Sequence, residues 1–199
     1  MLLAIPGTDI HPHAAPMERA CQFRHKIFVD DRDWSDSNQA GCNHTVHRIC
    51  LRDEDIVGYQ RLLPTTQPHL LTDNLADMCW KRSSTDQRTF ERTRFCVAPG
   101  WRDTRSKGDG PLLELAQGVV EWALAHRVGT LAVAIDWRLV VIAMQLRFFV
   151  RPLGFPKRIG RDEAVALRMS FDREALHTIQ EARGPKASVL REAALATAA

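Results

Sequence analysis

Several charged residues stand where charge is costly. Arg61 lies in the run Val57-Gly58-Tyr59-Gln60-Arg61-Leu62-Leu63-Pro64, and Glu91, Arg92 and Arg94 lie in Thr89-Phe90-Glu91-Arg92-Thr93-Arg94-Phe95-Cys96-Val97. Both runs read as strands, rich in β-branched and aromatic residues and punctuated by Pro64 and Pro99. An unpaired charge is expensive to bury. A carboxylate set among guanidiniums on such strands is therefore one of two things: a wet strand face with a surface ion pair, or a site for an anionic substrate. A further arginine interrupts an apolar stripe. Met17, Ala20, Cys21, Arg24 and Phe28 fall three and four apart, on one face of a helix expected over about 16–31. Pointing inward, Arg24 needs an anion as partner; otherwise it snorkels to solvent. A third feature is Arg105-Ser106-Lys107-Gly108-Asp109-Gly110, just before Pro111 and an apolar helical pattern. A glycine-rich turn opening a helix leaves backbone N–H groups and the positive dipole end free for a phosphate. A plain loop-to-helix junction is the alternative.

Strands at about 46–52 and 56–63, joined through Asp53-Glu54-Asp55, read as a hairpin that holds Arg61. A strand over about 89–98 holds Glu91 and Arg94. These two are three apart, so a regular strand would place them on opposite faces. One site can use both only if the strand is bulged or Arg94 curls round, and a bulge is expected near Arg92 or Thr93. A short helix near 72–79 falls within the connection. The helix from Leu112 to His126 buries Leu112, Leu113, Ala116, Val119, Val120, Ala123 and Leu124, with Gly129 as its C-terminal stop. Then follow a buried strand at 130–135, a helix at 137–148 with Val140, Val141, Met144 and Phe148 inward, and a strand at 164–171. Asp172 caps a last helix to about 182. The order predicts an α/β (α+β) fold: a three-layer α-β-α sandwich with a mixed, mostly antiparallel sheet. One domain is expected over 1–184, with an alanine-rich tail over 185–199.

Composition narrows the classes. A chain of 199 residues, 45% apolar and 26% charged, is ordinary globular material. A net charge of +3 gives no nucleic-acid footprint. Five cysteines without a C-x-x-C pair argue for reduced thiols in a cytoplasmic protein rather than a disulfide framework. Cys42-x-His44 is too sparse for a zinc site, and no metal or other cofactor is expected. Met1–Ile10 lacks the pattern of a secretory signal. No apolar run approaches the roughly 20 residues of a membrane span.

In order and spacing these pieces resemble the acyl-homoserine-lactone synthase (autoinducer synthase) family, related in fold to N-acetyltransferases. The resemblance covers about residues 15–182. It rests on Arg24-x-x-x-Phe28 followed by Trp34, on Gly58-Tyr59-Gln60-Arg61-Leu62-Leu63-Pro64-Thr65-Thr66-Gln67-Pro68-His69-Leu70-Leu71, and on Glu91-x-x-Arg94-Phe95. Pro152-Leu153-Gly154-x-Pro156 and Ala164 to Ser170 add to it. The resemblance implies a quorum-sensing signal synthase. Its substrates would be S-adenosylmethionine and an acyl thioester, on coenzyme A or acyl carrier protein. It would release methylthioadenosine. By resemblance, Arg24, Phe28, Trp34 and Arg61 bind S-adenosylmethionine, and Glu91 and Arg94 are catalytic. Arg105, Gly108 and Gly110 would receive the donor's phosphate. The basic residues Arg147, Arg151, Lys157, Arg158 and Arg161 offer a docking face or an ordinary solvated surface. The sequence departs from the family where two acids three apart are usual after the tryptophan: the candidates are Asp36 with Gln39, or Asn38 with Gly41. Leu75 stands where a loop aromatic is usual. The alternatives are an acyl-CoA-dependent transferase acting on another amine, or a non-catalytic relative.

Overall fold

A computed structural model of the protein describes residues 1–34, 44–81, 85–102, 110–184, 188–189 and 191–192. The elements, in order, are β1 (Leu2–Pro6), α1 (Ala14–His25), β2 (Val46–Arg52), β3 (Asp55–Pro64), β4 (Thr89–Val97), α2 (Pro111–Ala125), β5 (Thr130–Asp136), α3 (Leu139–Gln145), β6 (Phe149–Pro152), β7 (Lys157–Ile159), β8 (Asp162–Ser170), α4 (Arg173–Arg183) and β9 (Arg191–Glu192). A π-helical turn, Lys26–Asp30, carries α1 onward. Among the described residues the strands form one mixed sheet in the order β6-β8-β5-β4-β3-β2-β1-β9, with β7 also paired to β8. The β4–β5 and β1–β9 pairs are parallel and the others antiparallel.

Strand alternation sorts side chains onto two faces. Ile5, Ile49 and Tyr59 pack with Met17, Ala20 and Phe28 beneath α1. On the other face Leu62, Leu131, Val133, Val165 and Leu167 pack with Val119, Val120, Ala175 and Ile179 from α2 and α4. These are the three expected layers. The α2 helix is buried nearly all round, so even Glu114, Gln117 and Glu121 are enclosed and each finds a partner. Asp172 caps α4 as expected, its Oδ1 accepting from the N–H groups of Glu174 (2.9 Å) and Ala175 (3.1 Å).

Several expectations need correction. Leu2–Pro6, unassigned from its pattern, forms β1 because β2 supplies its ladder from Cys50 to Val46. The left-handed residue after α2 is Arg127 (φ 57°), not Gly129. Helix α3 is shorter than 137–148, and its Val141 and Met144 face outward at 56% and 60% exposure. The basic segment after it contributes two short strands, β6 and β7, because β8 offers a partner edge to both. The expected short helix near 72–79 is a single 3-10 turn, Ala76–Met78.

The feature that makes a site is where pairing stops. Strands β4 and β5 pair only from Thr89↔Thr130 to Arg92↔Val133. Both continue for several residues beyond that point, so a cleft opens at their carboxyl ends. Parallel strands present ligands at that end.

Candidate active site

The β3–β4 ladder slips between Tyr59↔Cys96 and Arg61↔Thr93, so two residues of β4 oppose one of β3. Arg94 takes a left-handed conformation there, with φ 57°. The bulge falls at Arg94 and Phe95, one residue past the expected place. Its effect on side chains is the one required. Arg92 and Phe95 share one face, the guanidinium 3.9 Å from the ring centre. Arg94 joins Glu91 and Thr93 on the opposite face and reaches the Phe28 ring at 5.7 Å. Two residues three apart thus share one face.

The cleft between β4 and β5 has a volume of about 420 Å³ and is lined by Phe28, Arg32, Trp34, Glu91, Arg94, Asp136 and Arg138 among others. That size suits a small-molecule substrate. Its apolar end is formed by Leu112, Ile135, Leu139 and Ile142. Ala132 and Ala134, two apart on one face of β5, both pack in the cluster of Leu71, Ala164 and Ala166, and Ala134 also lines the cleft. Leu75, in the position noted as usually aromatic, is also a wall residue.

Glu91 is only 1% exposed, yet its carboxylate is satisfied. Oε1 accepts from Leu71 N–H at 2.9 Å and Oε2 from Leu70 N–H at 3.0 Å. The Pro64–Leu71 connection therefore folds back to hold it. Burial pushes the Glu91 carboxyl above its ordinary range, and the two backbone donors, His69 and Arg61 offset only part of that. A carboxylate poised upward in this way is a better proton acceptor.

Behind this wall lies a layer of buried polar groups. Arg24 and Arg61 are 3% and 2% exposed, so neither is the surface arginine weighed above. Arg24 lies over the Tyr59 ring at 5.7 Å, and Arg61 Nε donates to Thr93 Oγ1 at 3.1 Å. His47 links Thr45 Oγ1 (3.1 Å) to Tyr59 Oη (2.7 Å). Burial first, then the charges of Arg61 and Arg24, push the His47 imidazole down to about 4, which keeps it neutral. Arg24 and Arg61 do not themselves line the cleft. Cys96 does, but burial pushes its thiol up to about 12 and leaves it no nucleophile near neutral pH.

The structure thus brings Phe28, Trp34, Glu91 and Arg94 onto one cleft and sets Arg24 and Arg61 in the layer supporting it. Gly110 is the buried N-cap position of α2, with Pro111 at the first helical position. Arg105, Gly108 and the positions of the usual acid pair lie outside the described residues. Sequence reading missed Asp136, Arg138 and Asp162. Asp136 holds the Arg138 guanidinium, with Nε at 2.9 and 3.1 Å from its two oxygens. Burial would raise the Asp136 carboxyl, but the Arg138 hydrogen bonds outweigh it and hold the group below its usual range. Its place as the last residue of a strand was the available signal.

The autoinducer synthase family model matches residues 13–179. The isovaleryl-homoserine lactone synthase of Bradyrhizobium diazoefficiens is 25% identical over 194 residues, covering 92% of this chain and 86% of that one. An acyl-homoserine-lactone synthase of Pseudomonas aeruginosa is 24% identical over 77% of this chain and 79% of its own length. Among solved structures, the CoA-dependent acyl-homoserine lactone synthase BjaI, with SAM and isopentyl-CoA, superposes at a TM-score of 0.78 with 24% identity, over 91% of this chain and 88% of that one. A putative N-acetyltransferase from Lactobacillus plantarum superposes at 0.56 with 13% identity, over 86% of this chain and 98% of that one, so the sandwich is shared more widely than the chemistry. Matched by the family model across most of its length and carrying a bulged, carboxylate-bearing cleft, this chain belongs to the autoinducer synthase family.

Proposed function

We propose that the protein is an acyl-homoserine-lactone synthase. It transfers an acyl group from an acyl thioester to the amine of S-adenosylmethionine and releases methylthioadenosine as the lactone closes. The observation that carries this reading is the convergence of Glu91, Arg94, Phe28 and Trp34 on the cleft where β4 and β5 part.

The chemistry follows from the groups present. The α-amine of the substrate is mostly protonated near neutrality and must lose a proton to attack. Glu91, raised by burial, accepts it directly or through one water. The amine nitrogen then bonds to the thioester carbon. The carbonyl oxygen becomes an oxyanion and needs fixed donors. The bulge at Arg94 and Phe95 frees backbone groups from the ladder to serve there. As the intermediate collapses, the carbon–sulfur bond breaks and the donor's thiolate leaves with a proton. The methionyl carboxylate next attacks the γ-carbon. The bond from that carbon to the sulfonium breaks, and neutral methylthioadenosine departs. Arg94, beside Phe28, holds the anionic end, while Arg24 and Arg61 supply positive potential from behind. Phe28 and Trp34, 5.7 Å apart, wall the pocket for the adenosyl group.

The donor we favour is a short or branched acyl-CoA. The small apolar end of the cleft supports this, as do the isovaleryl-homoserine lactone synthase relative and the CoA-dependent solved structure. Arg105, Gly108 and Gly110 remain our assignment for the donor's phosphate. Cys21, Cys50, Cys79 and Cys96 are free thiols, which supports a reducing compartment, the cytoplasm. The shared N-acetyltransferase sandwich favours, as second reading, acyl transfer to another amine. One experiment separates the two: purified protein with S-adenosylmethionine and a panel of acyl-CoA and acyl-carrier thioesters, with products identified by mass spectrometry. Acyl-homoserine lactone and methylthioadenosine in equal amounts are expected. No methylthioadenosine with any donor would overturn the first reading, and acyl transfer to another amine supplied in place of S-adenosylmethionine would favour the second.

A further inference from the structure

The segment that carries Trp34 is gripped by a hairpin from far along the chain. Gly160 and Arg161 join β7 to β8 and lie against residues 31–33. Arg161 N–H donates to the Arg32 carbonyl at 3.1 Å. Gly160 has φ +55°, and a Cβ there would sit 2.3 Å from the Arg32 carbonyl oxygen and 2.6 Å from that of Asp33, so only glycine allows this approach. The next residue, Asp162, turns its carboxylate onto the same segment. Oδ2 accepts from Trp34 Nε1 at 3.1 Å and from Arg32 Nη1 at 3.2 Å. Oδ1 lies 3.8 Å from Arg138 Nη2. Trp34, Arg32 and Arg138 all line the cleft, and Asp162 does not.

We propose that Asp162 is a positioning residue, fixing the Trp34 indole and the Arg32 guanidinium on the cleft wall and thereby setting affinity for the sulfonium substrate. An indole has a single N–H donor, so one acceptor fixes the ring's rotation. A wall ordered before binding costs less on binding than one that must be ordered by the ligand. The same carboxylate neutralises charge among Arg32 and Arg138, beside which a cationic sulfonium would otherwise be repelled. This inference rests on the lactone-synthase reading for its ligand.

The test uses Asp162→Ala and Asp162→Asn in the full chain. Asn keeps an oxygen for the indole N–H. In Asp162→Ala, KM for S-adenosylmethionine should rise about tenfold while kcat falls less than about threefold and KM for the acyl donor stays put. Asp162→Asn should recover most of the loss. A second readout needs no turnover: with 5-fluorotryptophan incorporated, the Trp34 fluorine resonance, assigned by its loss in Trp34→Phe, should shift in Asp162→Ala and return towards its original position in Asp162→Asn. An unmoved Trp34 resonance, or an unchanged S-adenosylmethionine KM in a folded Asp162→Ala protein, would overturn the proposal. Absence of lactone synthesis by the unsubstituted protein would instead sink the functional reading, with the fluorine spectrum still deciding whether Asp162 positions Trp34.

Discussion

Glu91→Gln separates chemistry from folding. The glutamine keeps one oxygen for one of the two backbone donors, Leu70 N–H or Leu71 N–H, and turns an NH2 towards the other. A buried N–H left without an acceptor costs about 1–3 kcal/mol. The loss is offset in part because the buried carboxylate, whose pKa is raised by burial, no longer has to be charged. A net cost of about 1–2 kcal/mol corresponds to a fall in melting temperature of roughly 2–8 °C for a chain of this size. Removing a proton acceptor from the reacting amine should cost about 10²–10⁴ in rate, or roughly 3–5 kcal/mol of barrier. The assay is kcat/KM against pH, following thiol release from the acyl donor with methylthioadenosine measured separately. The unsubstituted enzyme should lose activity as pH falls through a value above the ordinary glutamate range. Glu91→Gln should lack that limb. A folded Glu91→Gln protein turning over within about threefold of the original, or keeping the same acid limb, would refute the role given to Glu91.

His47 makes the fold sensitive to acid. Its imidazole is pushed down from 6.5 to about 4, so the unfolded chain takes up the proton first; stability is complete above about 6.5 and is lost as pH falls to about 4, by about 3 kcal/mol in all. Urea titrations across that window should show a flatter slope in His47→Gln, and an unchanged slope would exclude His47 as the source. Asp172→Ala removes the acceptor for two N–H groups of α4 and should cost about 1 kcal/mol, or roughly 2–4 °C in melting temperature, with activity retained; thermal melts within 1 °C of the parent, by this about 1 kcal/mol estimate, would contradict it. Ile142→Trp should raise KM for longer acyl donors more than for the shortest, because Ile142 lines the apolar end of the cleft; an equal effect along the acyl series would remove Ile142 from that wall.

The middle of the sheet was legible because its strands obey simple rules: β2 coincides with the expected 46–52, and the β3 and β4 bounds shift by only a residue at an end. Strand β1 was not, since five residues with a proline show no periodic signal and pair only because β2 is there. The inward Arg24 was visible from its place in an apolar stripe, and the bulge was legible because a regular strand would set Glu91 and Arg94 on opposite faces. What was not legible was the grip of one distant segment on another. Nothing local says that Leu70 and Leu71 would hold Glu91 through their backbone, or that Asp162 would reach across 128 residues of chain to Trp34. Such contacts are set by how β7, β8 and the 64–71 connection fold back on the cleft, which residue type and period do not encode.

The central claim is geometric: a cleft edged by guanidinium and closed by Phe28 and Trp34 directs a substrate amine towards the buried Glu91 carboxylate. A crystal structure with S-adenosylmethionine bound tests it most directly. The amine nitrogen should lie about 3 Å from a Glu91 oxygen or one ordered water away, with the substrate between Phe28, Trp34 and Arg94. Density for the ligand outside the β4–β5 cleft, or inside it with the amine turned away from Glu91, would contradict the account.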